Sequence, residues 1–165
     1  MLNQDFLDCL TDVYIGEQVG EVVFDALLGK AETPEQTYIM GSLLQFETEG
    51  KARIRPVLSR LGLSMLDNPQ GRTDGLAAST AMGDVPWRER FAAMRDIVKE
   101  NYLPRYCELA TLVSESEHPE AAKLAKFMGD HERALVAAAE NIVLGREDPA
   151  SPVVALLLFP LGRSG

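Results

Sequence analysis

Residues Leu124 to Ile142 read LAKFMGDHERALVAAAENI. Leu124, Met128, His131, Leu135, Ala138 and Ile142 step by three and four, so they fall on one face of a helix. His131 stands in the middle of this apolar stripe, and Glu132 adjoins it. The stretch therefore predicts a long amphipathic helix that carries an imidazole and a carboxylate toward a core.

Three other long helices are legible upstream. The first is expected over about 3–28, with Phe6, Leu10, Val13, Glu17, Gly20, Phe24 and Leu27 on its buried face and Gly29 at its end. Glu17 is thus a core-facing acid by position, with Tyr14 one turn away as a hydrogen-bond partner. The second is expected over about 34–61. Thr33 is its cap, Pro34 its first residue and Gln36 the third position of a capping box. Its stripe of Met40, Leu43, Leu44, Glu47, Ile54, Leu58 and Leu61 again holds a glutamate. Glu47 with Lys51, and Glu49 with Arg53, have the i, i+4 spacing of surface ion pairs. The third helix is expected over about 86–113, on Trp87, Phe91, Met94, Val98, Tyr102, Leu109 and Leu112, with Glu100 and Glu108 off the centre of that face. Pro56 and Pro104 are expected to kink their helices.

Between the second and third helices lies LSMLDNPQGRTDGLAASTAMGDVP, rich in Gly, Asn, Asp and Ser. It reads as a long loop with at most a short helix near 76–82. A loop of this length needs a geometric reason. A helix of about 27 residues is ~40 Å long at ~1.5 Å per residue, and two dozen extended residues reach ~80 Å. The segment can therefore cross the full length of the helices and start the third parallel to the second. The short connections elsewhere imply antiparallel neighbours.

At 165 residues, with 46% hydrophobic and 25% charged residues, the chain suits one globular domain. The helices are expected over 3–145 and a Pro-punctuated apolar tail over 149–165. A formal net charge of −9 offers no basic surface for nucleic acid or anionic lipid. The longest apolar run, Val153 to Leu161, is far below the ~20 residues of a membrane span. Two cysteines, Cys9 and Cys107, do not make a disulfide framework, and the acidic N-terminus lacks the basic region of a signal peptide. The expectation is a cytoplasmic protein, paired as a homodimer through helix faces and the tail.

The order of helix pair, long connection and helix pair, with acids in mid-stripe, resembles the ferritin-like superfamily. Glu17 and Glu47 are about thirty residues apart, and Glu100 and Glu132 about thirty-two. The resemblance implies an all-α four-helix bundle with a long crossover between helices two and three. It also implies that Glu17, Glu47, Glu100 and Glu132, with His131, are candidate ligands for iron or another divalent metal. Hard bridging carboxylates hold such cations, and imidazole completes the shell. The di-iron members carry Glu-x-x-His on the second and fourth helices. Here the position three after Glu47 is Gly50, the position three after Glu132 is Leu135, and the position three before His131 is Met128. The ligand pattern is thus degenerate. His131 is either a ligand or a core histidine paired with Glu17 or Glu47.

Two functions follow as expectations. One is a metal-free or metal-depleted binding or assembly module, its old site neutralised by Lys51, Arg53 or Arg95. The other is a di-metal or single-metal oxidoreductase or oxygenase. Neither the substrate nor a small-molecule ligand is legible.

Overall fold

The computed structural model describes residues 2–163. Among them every regular element is helical and there is no strand. α1 spans Gln4–Leu28, its Phe6 amide donating to the Asn3 side chain at 2.8 Å. α2 spans Pro34–Arg60, and Thr33 caps it by accepting the Gln36 amide at Oγ1; the return bond of the expected capping box is displaced by one residue, Gln36 Oε1 accepting from the Glu32 amide instead of that of Thr33. α2 is a single helix through Pro56.

The segment read as a loop contains a further helix, α3, over Pro69–Met82. Asn68 caps it by accepting the Gln70 amide at 2.8 Å, and Pro69 supplies the first position. α3 lacks an apolar stripe because it meets α1 through small residues, burying Gly71, Gly75 and Ser79. Its N-terminus is tied to mid-α1, where Gln18 both donates to the Asn68 carbonyl and accepts its amide.

The third predicted helix is divided. α4 spans Trp87–Ile97, a π-helical turn covers Val98–Tyr102, and α5 spans Leu103–Leu109. Pro104 is the cause: with no N–H to donate, it breaks the regular ladder, and the Leu103 amide bonds back to Val98 instead. α6 spans Pro119–Val143 and α7 spans Ser151–Val154.

Side-chain pairs fix the neighbours. Glu21 of α1 meets Thr48 and Lys51 of α2, while Tyr14 meets Arg55. α5 lies on α1 through Tyr106 and Arg105, which reach Val13 and Asp12. α6 meets α4 through Glu140 and Arg95, and α2 through His131 and Phe46. Two apolar clusters form the core. One gathers Phe24, Met40, Phe46, Phe91, Leu135 and Ile142 with others, and the second Phe6, Leu10, Val13, Ile54, Leu109 and Met128 with others.

The tail packs within the chain. Val153 is fully buried, and the amides of Leu158 and Phe159 each donate to Glu49 at 2.7 Å. The expected Glu47–Lys51 and Glu49–Arg53 pairs do not form. Lys51 bonds to Glu21 and Asp67, and Arg53 lies over the Phe127 ring. No helix among the described residues is long and apolar enough to cross a membrane.

Candidate functional site

Between the two apolar clusters lies a layer of polar side chains. Glu17, Glu47, His131 and Glu132 are all at most 3% exposed. Each reaches the interior because its helix places it on the stripe, or, for Glu132, one residue from it. Glu17, His131 and Glu132 form the tightest group, offering one donor atom each with all three atoms within 4.8 Å of one another. Glu47 adjoins them outside that triad. Glu100 does not join them. It is exposed on the π turn, two residues from both Val98 and Tyr102 and so on the far side of the helix.

Glycines make the room. A Cβ built on Gly50 would overlap Glu17 Oε2, and would lie 2.8 Å from its Cδ and 3.0 Å from His131 Nε2. Gly20 does the same for Glu47, whose Cδ would be 2.7 Å from an added Cβ. The residue that stands where a Glu-x-x-His would have its second histidine thus cannot carry a side chain while Glu17 keeps its place.

The histidine is oriented by backbone. Its Nε2 lies 3.2 Å from the Phe46 carbonyl, which only accepts, so the ring proton belongs on Nε2. Its ring stacks on Phe46 at 3.6 Å. Nδ1 is left with a free lone pair, 4.0 Å from Glu132 Oε2. Burial lowers the His131 pKa to about 3, with the Phe46 bond opposing, so the ring is neutral at pH 7. Such a ring, its second nitrogen held by a carbonyl, has the arrangement of a metal-ligating histidine.

The acids are strained electrostatically. Burial raises Glu132 to about 8. Burial, and then the Glu132 charge, push Glu17 well above the carboxylate range, while the hydrogen bond from Tyr106 opposes the shift. Glu47 is raised likewise by burial and then by Glu17 and Glu132. His131 Nε2 lies 3.3 Å from Glu17 Oε2, and among the described residues no lysine or arginine pairs with any of the three. Lys51 and Arg95 are engaged by Glu21, Asp67, Asp96 and Glu140. Glu17 Oε2, Glu47 Oε1 and His131 Nδ1 are buried without a hydrogen-bond partner. Three such atoms in one layer are exceptional, because buried polar groups are nearly always satisfied.

Tyr106 is the functional neighbour that the sequence reading passed over. Its hydroxyl donates to Glu17 Oε1 at 2.8 Å and also lies 3.2 Å from the Val13 carbonyl. The signal was present, since Tyr106 continues the Val98, Tyr102 step by four. Tyr14, expected beside Glu17, instead donates to the Met65 carbonyl at 2.7 Å.

A cavity of about 90 Å³ adjoins the layer. Val19 and Val23 of α1, Ala78 and Met82 of α3, and Ile97 and Val98 wall it, and Glu47 and Glu132 are its buried acids. No family model, no curated protein and no solved structure matches the chain.

Proposed function

We propose that this chain is a ferritin-like bundle whose core binds a divalent cation between Glu17, His131 and Glu132, and that it acts as a metal-dependent oxidoreductase. Support for the bundle comes from the side-chain pairs. Tyr14–Arg55 and Glu21–Thr48 run in opposite senses along α1 and α2. Gly71 beside Ile15 and Gly75 beside Val22 run in the same sense along α1 and α3. α3 would then be the body of the crossover, returning the chain so that α4 and α5 run parallel to α2.

The single observation that carries the cation is the set of buried donor atoms without a hydrogen-bond partner, which among the described residues no lysine or arginine meets. The donor set fits. Two carboxylates and a neutral imidazole suit first-row divalent ions, and a dication would balance Glu17 and Glu132. A redox-active ion held there would supply electron transfer to a small oxidant such as dioxygen or peroxide. The chain's own residues position and shield. Phe46 holds the imidazole tautomer, Tyr106 holds Glu17, and the apolar clusters on both sides exclude water. Gly50 keeps open the space that Glu17 occupies.

The test is metal analysis of protein purified without chelator, together with calorimetric titration by Fe²⁺, Mn²⁺ and Zn²⁺. One tightly bound equivalent is expected, with release of protons at pH 7, because Glu17 and Glu132, both held above the ordinary carboxylate range, must ionise to bind. Absence of binding by all three ions would reject the reading.

Gly50 favours a second reading, a metal-free binding or assembly module, since it removes the second histidine that a two-metal site would use. In that case the acids stay protonated and the core remains intact under chelation. Homodimerisation belongs to the same proposal. Leu158 and Phe159 remain exposed after the tail has packed, and they offer the apolar surface for a twofold contact. Light scattering of the chain and of a Leu158→Ser, Phe159→Ser variant tests it, and a monomer in the unaltered chain would reject it.

A further inference from the structure

We propose that the cavity beside the acidic layer binds a short aliphatic primary amine, its alkyl chain between α1, α3 and the π turn and its ammonium group on the Glu47 carboxylate. The inference rests on the triad being the cation site in one respect only, that Glu47 is left to the cavity and not to the ion.

Four observations carry it. The walls are apolar, from Val19, Val23, Ala78, Met82, Ile97 and Val98, so the body of the ligand must be apolar too. Glu47 lines this space, is 2% exposed, and has Oε1 without any partner. A buried acceptor in that condition calls for a donor. The other oxygen, Oε2, occupies the room left by the missing side chain of Gly20, and Gly20 lines the same cavity, so this edge of the carboxylate lies beside the space the ligand would fill. Finally, the layer has three carboxylates, and the nearby bases are spent elsewhere. A primary amine can take the Glu47 proton and remain beside it as the ammonium counter-ion that the chain does not supply, which a hydroxyl cannot do.

Size sets the chain length. An apolar cavity of about 150 Å³ accommodates benzene, and this one is about 90 Å³. A chain of about four carbons fits by proportion. Ile97, nearly half exposed at 46%, marks the side from which the ligand enters, against the wholly buried Glu47 and Glu132.

The experiment is calorimetric titration of the full chain with n-butylamine, 1-butanol and butyrate, before and after loading with Zn²⁺. The amine should bind with one-to-one saturation. The alcohol should bind at least ~10-fold more weakly, because a hydrogen bond to a charged group gains from both charges, and butyrate should not bind. Glu47→Gln should weaken amine binding at least ~10-fold and leave Zn²⁺ uptake intact. Ala78→Phe, which fills the cavity, should abolish amine binding, with circular dichroism reporting its fold. No saturation by the amine up to ~20 mM would overturn the proposal, since a well-fitted small ligand is expected to exceed that affinity. Equal binding of alcohol and amine would overturn it, and so would an unimpaired Glu47→Gln. These comparisons on the unaltered chain hold even if Ala78→Phe fails to fold. Amine binding without Zn²⁺ uptake would reject the triad as a cation site and leave this inference standing. Zn²⁺ uptake without amine binding would reject this inference alone.

Discussion

Glu47 and Glu49 lie two residues apart on α2, and both are buried, at 2% and 7% exposure. Their surroundings are opposite. Glu49 turns outward under the tail and is fully used: the amides of Leu158 and Phe159 donate to its two oxygens, and Gln45 adds a third bond at 3.3 Å. Glu47 turns inward, beside two other acids, and has an oxygen with no partner at all. The Glu47 carboxyl is held well above its ordinary range, by burial and by neighbouring carboxylates. The comparison separates structure from site. A buried acid whose lone pairs are met by backbone amides is a clasp. A buried acid left unmet, in company with an unpaired imidazole nitrogen, marks the candidate site.

The comparison breaks most decisively at the metal. Glu17→Gln or Glu132→Gln should reduce metal affinity at least ~100-fold, because each removes an anionic ligand from a three-residue set. Glu49→Gln should leave metal affinity unchanged. It should instead loosen the tail and lower stability by roughly 2 kcal/mol, the usual cost of a lost hydrogen bond to a charged group. Titration with Zn²⁺ and chemical denaturation of the same three variants read both effects. Equal metal affinity in all three would erase the distinction between clasp and site.

Gly50→Ala sharpens the contrast by steric means. In an ordinary helix interior this change gains about 0.5–1 kcal/mol. Here the new methyl would overlap Glu17 Oε2, so the carboxylate must leave its position beside His131. A net loss of roughly 1–3 kcal/mol is expected, as in other overpacked cores, together with weaker metal binding. A stabilised variant with unchanged metal affinity would show that Glu17 does not need the space.

The stripes on residues 3–28, 34–61 and 124–142 were legible because the period is sustained there, and the Thr33 cap and the Gly29 stop match the helix bounds. Glu17, Glu47 and His131 were legible as inward positions for the same reason. α3 was not, because its buried face is Gly71, Gly75 and Ser79, and periodicity counts apolar residues. The Asn68–Pro69 start was its one clear mark. Glu100 was misplaced as a candidate because a spacing of about thirty-two residues was allowed to override its position off the stripe. The acids' lack of a cationic partner was beyond sequence, since Lys51, Arg53 and Arg95 lie near in number and are drawn elsewhere only in three dimensions.

Acidity gives a further, smaller effect. Glu132 titrates near 8 in the folded chain against an ordinary 4.5, so the native state holds its proton more tightly. That stabilisation is complete below the unfolded value and is lost as pH rises through 8. His131 has the opposite sign: lowered from 6.5 to about 3, it costs stability as pH falls below 6.5. Between pH 6.5 and 8 the acids act alone, and metal-free protein should lose roughly 2 kcal/mol from Glu132. Denaturation midpoints across this range check the sign. Saturating metal should reverse the slope, because ionised ligands then bind the ion. A flat profile with and without metal would place the acids in solvent.

The smallest effect is expected at Tyr106. Tyr106→Phe keeps the ring in its place beside Gly16 and removes only the hydroxyl, which donates to Glu17 Oε1 at 2.8 Å. Metal-free stability should fall by about 1 kcal/mol, the net value of such a bond. A merely structural tyrosine would give that loss and nothing more. But the bond favours the ionised form of Glu17, opposing the rise that burial imposes. Without it the carboxylate is harder to ionise, so metal must compete with a more tightly held proton. Metal affinity at pH 7 should drop about 10-fold, the usual effect of removing a partner behind a ligand. The pH at which uptake is half complete should move upward, and at high pH the variant should approach the unaltered chain. An affinity loss that is the same at every pH would mean that Tyr106 positions Glu17 without setting its charge. No loss at any pH would remove Glu17 Oε1 from the site.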